Sequence, residues 1–167
     1  MISAGILTIS DKGARGQRVD QSGQEIKEIL STLNSHIARY EIVPDEREII
    51  AAWLTEGADK FKLDIILTTG GTGLSERDVT PEATLAVVDK MVPGITEAMR
   101  MRTFDRAPTA ILSRAVAGVR GKCLIINLPG SPRGVRECLE VILPVIPHAI
   151  EIIKGIVTEH KPEKEER

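Results

Sequence analysis

Asp64-Ile65-Ile66-Leu67-Thr68-Thr69-Gly70-Gly71-Thr72-Gly73 is the stretch whose reading decides the fold. Its first half, predicted as a strand over 64–68, is aliphatic and β-branched and lacks the alternation of a strand with one wet face. Such a run suits a strand covered on both sides, as in a parallel sheet. Its second half is small and glycine-rich, suited to a tight turn at the strand's carboxyl end. Leu124–Asn127 repeats the pattern and leads into Leu128-Pro129-Gly130-Ser131. Two more runs, 6–9 and 37–43, end at Ser10-Asp11 and at Pro44-Asp45.

Helical patterns separate these runs. Ile26, Ile29, Leu30 and Leu33 keep the spacing of one helical face, with Ser22 and Glu25 reading as a capping box. Asp45 reads as the cap of a second helix bearing Ile49, Ile50, Trp53 and Leu54, with Gly57 near its end. Thr80-Pro81 opens a third, and Pro93–Phe104 forms a fourth. After Ser131-Pro132 an apolar stripe runs from Val135 to Ile153, and Pro144 and Pro147 must kink or split it. Residues 109–119 fit no element well. Strands alternating with helices predict an α/β fold, a three-layer α/β/α sandwich with a mostly parallel sheet.

The chain has 167 residues, 42% apolar and 28% charged, with a net charge of -2, which is the ordinary globular range. We read one domain over residues 1–157 and a charged, frayed tail over 158–167. Near-neutral charge offers no field for a phosphate polymer, and Tyr40, Trp53, Phe61 and Phe104 are few platforms for stacking bases. Nucleic acid is therefore not an expected partner. No apolar run is long enough to span a bilayer and no secretory signal opens the chain, so a cytoplasmic protein without membrane contact is expected. Cys123 and Cys138 are too far apart for a CxxC pair and read as buried thiols.

In a parallel sheet the four turns after the strands share one edge and build one crevice, where helix N-termini attract anions. Gly70, Gly71 and Gly73 let backbone N–H groups approach a phosphate, and Thr72 adds a hydroxyl; a plain tight turn is the alternative. Gly130-Ser131 divides the same way between phosphate contact and a simple helix cap. Asp45 and Asp78 are each explicable as part of a helix start. Together beside a glycine cradle they become hard oxygen ligands for Mg²⁺, which is held by one or two carboxylates plus substrate phosphates. Two phosphate charges about 4 Å apart repel by ~1 kcal/mol in water and ~4 kcal/mol at an effective dielectric of 20, so joining phosphates calls for a cation. Ser113 can bind substrate and Arg114 can grip an anion, while Arg77 reads as a salt-bridge partner. Ser10 and Asp11 complete the candidate set. The segment 11–21, with Lys12, Arg15 and Arg18, reads first as a solvated loop and second as a phosphate-closing flap.

The runs TTGGTG (68–73), RDVTPEAT (77–84), AILSR (110–114) and GKCLIINLPGSP (121–132) are ordered along the chain. Together they resemble the molybdopterin adenylyltransferase family of Mog and MoaB proteins and the gephyrin G domain, from about Ile6 to Gly155. The resemblance implies molybdenum cofactor biosynthesis, with AMP moved from Mg-ATP onto the terminal phosphate of molybdopterin and pyrophosphate released. It implies that Asp45 and Asp78 are the catalytic, metal-associated pair and that Gly71, Thr72 and Gly73 surround the substrate. Ser113, Asn127, Gly130 and Ser131 carry over as binding positions. It further implies a homotrimer, with a hexamer as the alternative, and hand-over of product to the molybdate-inserting enzyme. The rival reading is a non-catalytic MoaB-type molybdopterin-binding or scaffold protein.

Overall fold

The computed structural model describes residues 1–156, so the charged stretch 158–167 lies outside the described residues. In chain order the elements are β1 (Ile2–Ile9), α1 (Asp11–Ala14), α2 (Gln21–Leu30), β2 (Ser35–Val43), α3 (Arg47–Asp59), β3 (Ile65–Thr69) and α4 (Thr80–Leu85). There follow β4 (Lys90–Met91), α5 (Pro93–Thr103), a 3-10 turn over Pro108–Leu112, β5 (Ala117–Arg120), β6 (Cys123–Leu128) and α6 (Pro132–Ile142). A second 3-10 turn, Leu143–Val145, leads into α7 (Ile146–Lys154). The six strands form one sheet in the order β2-β1-β3-β6-β5-β4. The first four are mutually parallel, β5 runs antiparallel to β6, and the edge strand β4 is antiparallel to β5.

The unbroken aliphatic runs are explained by a core on each face of the sheet. Ile6, Ile65, Leu67, Leu124 and Ile126 join Ile26, Leu30, Val135, Leu139, Ile142 and Ile150 in one cluster. Their neighbours Leu7, Ile66 and Ile125 point the other way and meet Ile50, Trp53, Leu54 and Ala83. Alternate side chains of β3 and β6 thus enter opposite layers, and both faces must be apolar. The expected three-layer α/β/α arrangement is the one observed. Among the described residues no helix is long and apolar enough to cross a membrane.

Several local expectations are corrected. Helix α2 starts two residues earlier than the Ser22 box implied, because Asp20 is the cap, its Oδ1 accepting from Gly23 N at 2.8 Å. Ser22 lies inside the helix and donates its hydroxyl to the Gly130 carbonyl at 2.6 Å. Asp45 does not cap α3; Glu46 occupies that position and makes no side-chain cap bond. Gly57 is inside α3, where a Cβ would come within 2.8 Å of Ile66, so the residue permits close helix–sheet contact rather than an end. The stretch 109–119 holds the first 3-10 turn and the start of β5, a four-residue strand in a tight hairpin with β6 that is too short to carry a period of its own. Pro144 splits the last helical stripe as expected, and Pro147 sits in the first turn of α7, where its missing N–H costs no helical bond.

Candidate functional site

The parallel strands β1, β3 and β6 deliver their following turns to one edge, and these turns are bonded to one another. Thr69 donates its hydroxyl to the Pro129 carbonyl at 2.7 Å, and Gly70 N reaches the Leu128 carbonyl at 3.3 Å. Gly70 and Gly71 hold φ of 95° and 68°, the left-handed region that side chains oppose. The buried Thr80 hydroxyl donates to the Gly70 carbonyl at 3.0 Å, and Thr80 N bonds the Gly71 carbonyl at 3.1 Å, so α4 anchors the turn from below.

Two pockets open beside this turn. A crevice of about 670 Å³ is lined by Ser10, Asp20, Ser22, Asp45, Gly70, Gly71, Gly130 and Ser131, among others. The other, about 490 Å³, is lined by Thr72, Gly73, Leu74, Leu112 and Ser113, with Met99 and Cys138 behind them. Ser131 borders both. Both volumes fall in the range of small-molecule sites, the crevice of mixed polarity and the other clearly more apolar. The crevice is faced by the starts of α2 and α6; at the latter Ser131 Oγ accepts from Gly134 N at 3.0 Å.

Asp45 and Asp78 converge on the glycine turn. A Cβ on Gly71 would lie 3.4 Å from Asp45 Oδ1 and overlap the Thr80 hydroxyl, and one on Gly73 would lie 2.8 Å from Asp78 Oδ2. The two acids therefore face glycines that flank one threonine, and each takes space a side chain would fill. Asp45 Oδ2 accepts from Asp11 N at 2.9 Å, while Asp11 Oδ1 accepts from Asp45 N at 3.0 Å. Arg77 closes the group, bonding Asp11 through Nε at 3.0 Å and Nη2 at 2.8 Å and reaching Glu46 at 3.3 Å. Asp78 Oδ2 accepts from Ser75 N and Ser75 Oγ, at 2.9 and 2.8 Å.

These contacts divide the acids electrostatically. The Arg77 fork, helped by the Asp45 backbone N–H, holds Asp11 below the usual carboxylate range. Asp45 is pushed above it, first by burial and then by the charges of Asp11 and Asp78, with the Asp11 N–H and Arg77 opposing. A half-buried carboxylate whose charge is resisted by two acidic neighbours is a place where a cation relieves repulsion, so the residues fit Mg²⁺. Among the described residues no group of three or more His, Cys, Asp or Glu is poised to hold a metal. Two carboxylates would thus leave the remaining positions to substrate oxygens and water, the usual habit of Mg²⁺.

The other candidate residues separate into two groups. Gly70, Gly71, Gly130, Ser131, Ser10 and Asp45 border the crevice, and Thr72, Gly73 and Ser113 border the second pocket. Asn127 does not reach either. It is fully buried, with Nδ2 donating to the hydroxyls of Thr68 and Thr84 at 3.0 and 2.9 Å and Oδ1 accepting from Val116 N at 3.1 Å. Asp11 has its carboxylate engaged by Arg77 and Asp45 N. Arg114 grips protein rather than standing ready for an anion. The sequence did not single out Asp20 and Ser22 for the site, although Arg18, Val19, Asp20 and Ser22 line the crevice. No residue pattern announced them; only the fold does, at Gly23, where a Cβ would meet the Tyr40 and Thr8 hydroxyls at 2.6 and 2.8 Å. Both hydroxyls donate to Asp20 Oδ2, Thr8 at 2.6 Å.

Comparison with known proteins agrees with the motifs. The model of a probable molybdopterin binding domain matches residues 5–148. The molybdopterin adenylyltransferase of Helicobacter pylori strain J99 is 49% identical over 156 residues, covering 92% of this chain and 89% of that protein. The crystal structure of the molybdopterin biosynthesis enzyme MoaB of Thermus thermophilus superposes with a TM-score of 0.89 at 53% identity, over 93% of this chain and 98% of that one. Gephyrin of Dictyostelium discoideum is 43% identical over 169 residues, which is 95% of this chain and 23% of that longer protein. By the extent of these matches, the chain belongs to the family of the probable molybdopterin binding domain.

Proposed function

We propose that the protein is a molybdopterin adenylyltransferase of molybdenum cofactor biosynthesis, transferring AMP from Mg-ATP to the terminal phosphate of molybdopterin and releasing pyrophosphate. The observation that carries this reading is the placement of Asp45 and Asp78 against Gly71 and Gly73 of one turn, which borders the crevice at Gly71 and the more apolar pocket at Gly73. The names of the relatives supply the substrate class. Asp45 and Asp78 would hold Mg²⁺, which when bound supplies positive charge against the phosphates.

The chain's own part is binding and alignment. Backbone N–H groups of the glycine turn beyond Gly70, with the start of α6, offer donors to phosphate oxygens. Ser131, bordering both pockets, stands where two substrates would meet, and Thr72 and Ser113 line the more apolar side. The attacking phosphate already carries an ionised oxygen, so the transfer needs alignment and charge compensation rather than a base that removes a proton. Holding Asp45 and Asp78, from two loops, against one glycine turn brings that compensation to the point where the two substrates would join.

The test mixes purified protein, molybdopterin, ATP and Mg²⁺ and measures pyrophosphate. Release that depends on all three additions supports the transferase; tight molybdopterin binding without release supports the non-catalytic binding protein or scaffold. We also propose a cytoplasmic homotrimer of one domain, handing product to the molybdate-inserting enzyme. A mass measurement in solution separates trimer from hexamer.

A further inference from the structure

Arg114 lies behind Thr72 and Gly73 in the lining of the more apolar pocket and spends its guanidinium on the protein. Its Nε donates to the Gly73 carbonyl at 2.8 Å and its Nη2 to the Asp78 carbonyl at 2.7 Å. The same guanidinium pairs with Glu82 through Nη1 and, at 3.5 Å, through Nη2. Its backbone N bonds the Thr72 carbonyl at 2.9 Å. Four N–H bonds on three acceptor groups leave one of guanidinium's roughly five N–H donors uncommitted.

The two carbonyls are the stems of an exposed loop. Leu74, Ser75, Glu76 and Arg77 are all exposed, and the loop closes on itself through Ser75 and Asp78. Nothing apolar inside it fixes its position. A planar fork that reaches both stems at once fixes their separation, which a single ammonium does not. We propose that Arg114 is a positioning residue: by bridging the carbonyls of Gly73 and Asp78 it holds the glycine turn and the Asp78 carboxylate in register for the transfer. The proposal rests on the transferase reading for its kinetic effect and on the geometry alone for its effect on the loop.

The test compares R114Q, R114K and E82Q with the wild type. In R114Q, kcat falls about 100-fold, the scale of a misplacement of about an ångström, while the KM for ATP and for molybdopterin stays within about threefold. R114K recovers about tenfold at most, because charge without the fork does not bridge two carbonyls. E82Q keeps both carbonyl bonds and loses less than about fivefold in kcat. A rise of about tenfold in either KM with kcat retained would mean that Arg114 grips substrate, and the proposal fails. Equal losses in E82Q and R114Q would also overturn it, since the ion pair and not the bridge would then matter.

Amide hydrogen exchange gives a readout free of activity. Residues 73–79 of R114Q or R114K exchange about tenfold faster, while β3 and β6 keep wild-type protection. Unchanged exchange over 73–79 removes the brace whatever the kinetics show. Wild-type protein that releases no pyrophosphate sinks the transferase reading instead, and exchange then decides the brace alone.

Discussion

Asp11 and Asp45 each bond the other's backbone N–H, at 3.0 and 2.9 Å, so the loop after β1 and the loop after β2 are tied by a reciprocal pair of carboxylate contacts. The pair is asymmetric in charge. Arg77 compensates Asp11, whereas burial and the acidic neighbours leave Asp45 costly to ionise. Asp45 thus keeps an oxygen directed at the glycine turn, and the fold tolerates its charge for a purpose other than stability.

Asp45→Asn is therefore expected to inactivate the protein while stabilising it. Asparagine still offers an oxygen to Asp11 N but removes the buried charge. Because the folded pKa of Asp45 is raised, its cost is fully present above that raised value and vanishes below the ordinary carboxylate value. The variant should melt higher at pH 7, by on the order of 1–3 °C, with the gain shrinking toward about pH 4. Thermal denaturation at both pH values checks this; a variant less stable than wild type at neutral pH refutes it.

Asp78→Asn should leave the fold intact, since its amide oxygen can still accept from Ser75. Pyrophosphate release should drop by about 100-fold or more, the scale seen when one charge-stabilising group is removed. Circular dichroism and turnover measured together test it, and wild-type rates would take Asp78 out of the mechanism.

Gly71→Ala should cost about 1–3 kcal/mol of stability, because alanine resists the left-handed backbone there. Its methyl group would also press on the Thr80 hydroxyl and approach Asp45 Oδ1 to 3.4 Å. Urea denaturation measures the loss. An unchanged midpoint would show that the turn is free to relax and is not the rigid cradle described.

Burial pushes the Cys123 thiol up to about 12 and the Cys138 thiol up to about 11. Both should be inert to a thiol reagent at about pH 8 in the native state, because the thiolate is the reactive form, and both should titrate once the chain is denatured. Rapid modification of either in the folded protein would contradict their placement.

The sheet was legible in the sequence wherever burial on both faces imposed an unbroken aliphatic run, as at Ile65-Ile66-Leu67 and Leu124-Ile125-Ile126. The edge pair β4 and β5 was not, since two- and four-residue strands are defined by their partners and carry no period of their own. The glycine turn was legible because a glycine-rich run after a buried strand has little choice but to turn tightly, whereas its two acids were candidates by residue type that only the fold set against that turn. The roles of Asn127, Arg114 and Asp20 were not. An amide, a guanidinium and a carboxylate serve equally well for ligand or for framework, and only the location of their partners decides. Asp45 shows the same limit: its position before α3 suggested a cap, and the competing bond to Asp11 N was invisible without the fold.

Asn127 rivets β6 to β3, to α4 and to the approach to β5 through a single side chain beneath the crevice. A floor pinned in three directions has no give, so the sheet is not free to spread when a bulky guest arrives. Accommodation falls to the exposed part of the rim, such as residues 74–77, rather than to the pinned strands. Breadth of substrate in such a molecule would then evolve by editing its rim, while the riveted base stayed the same.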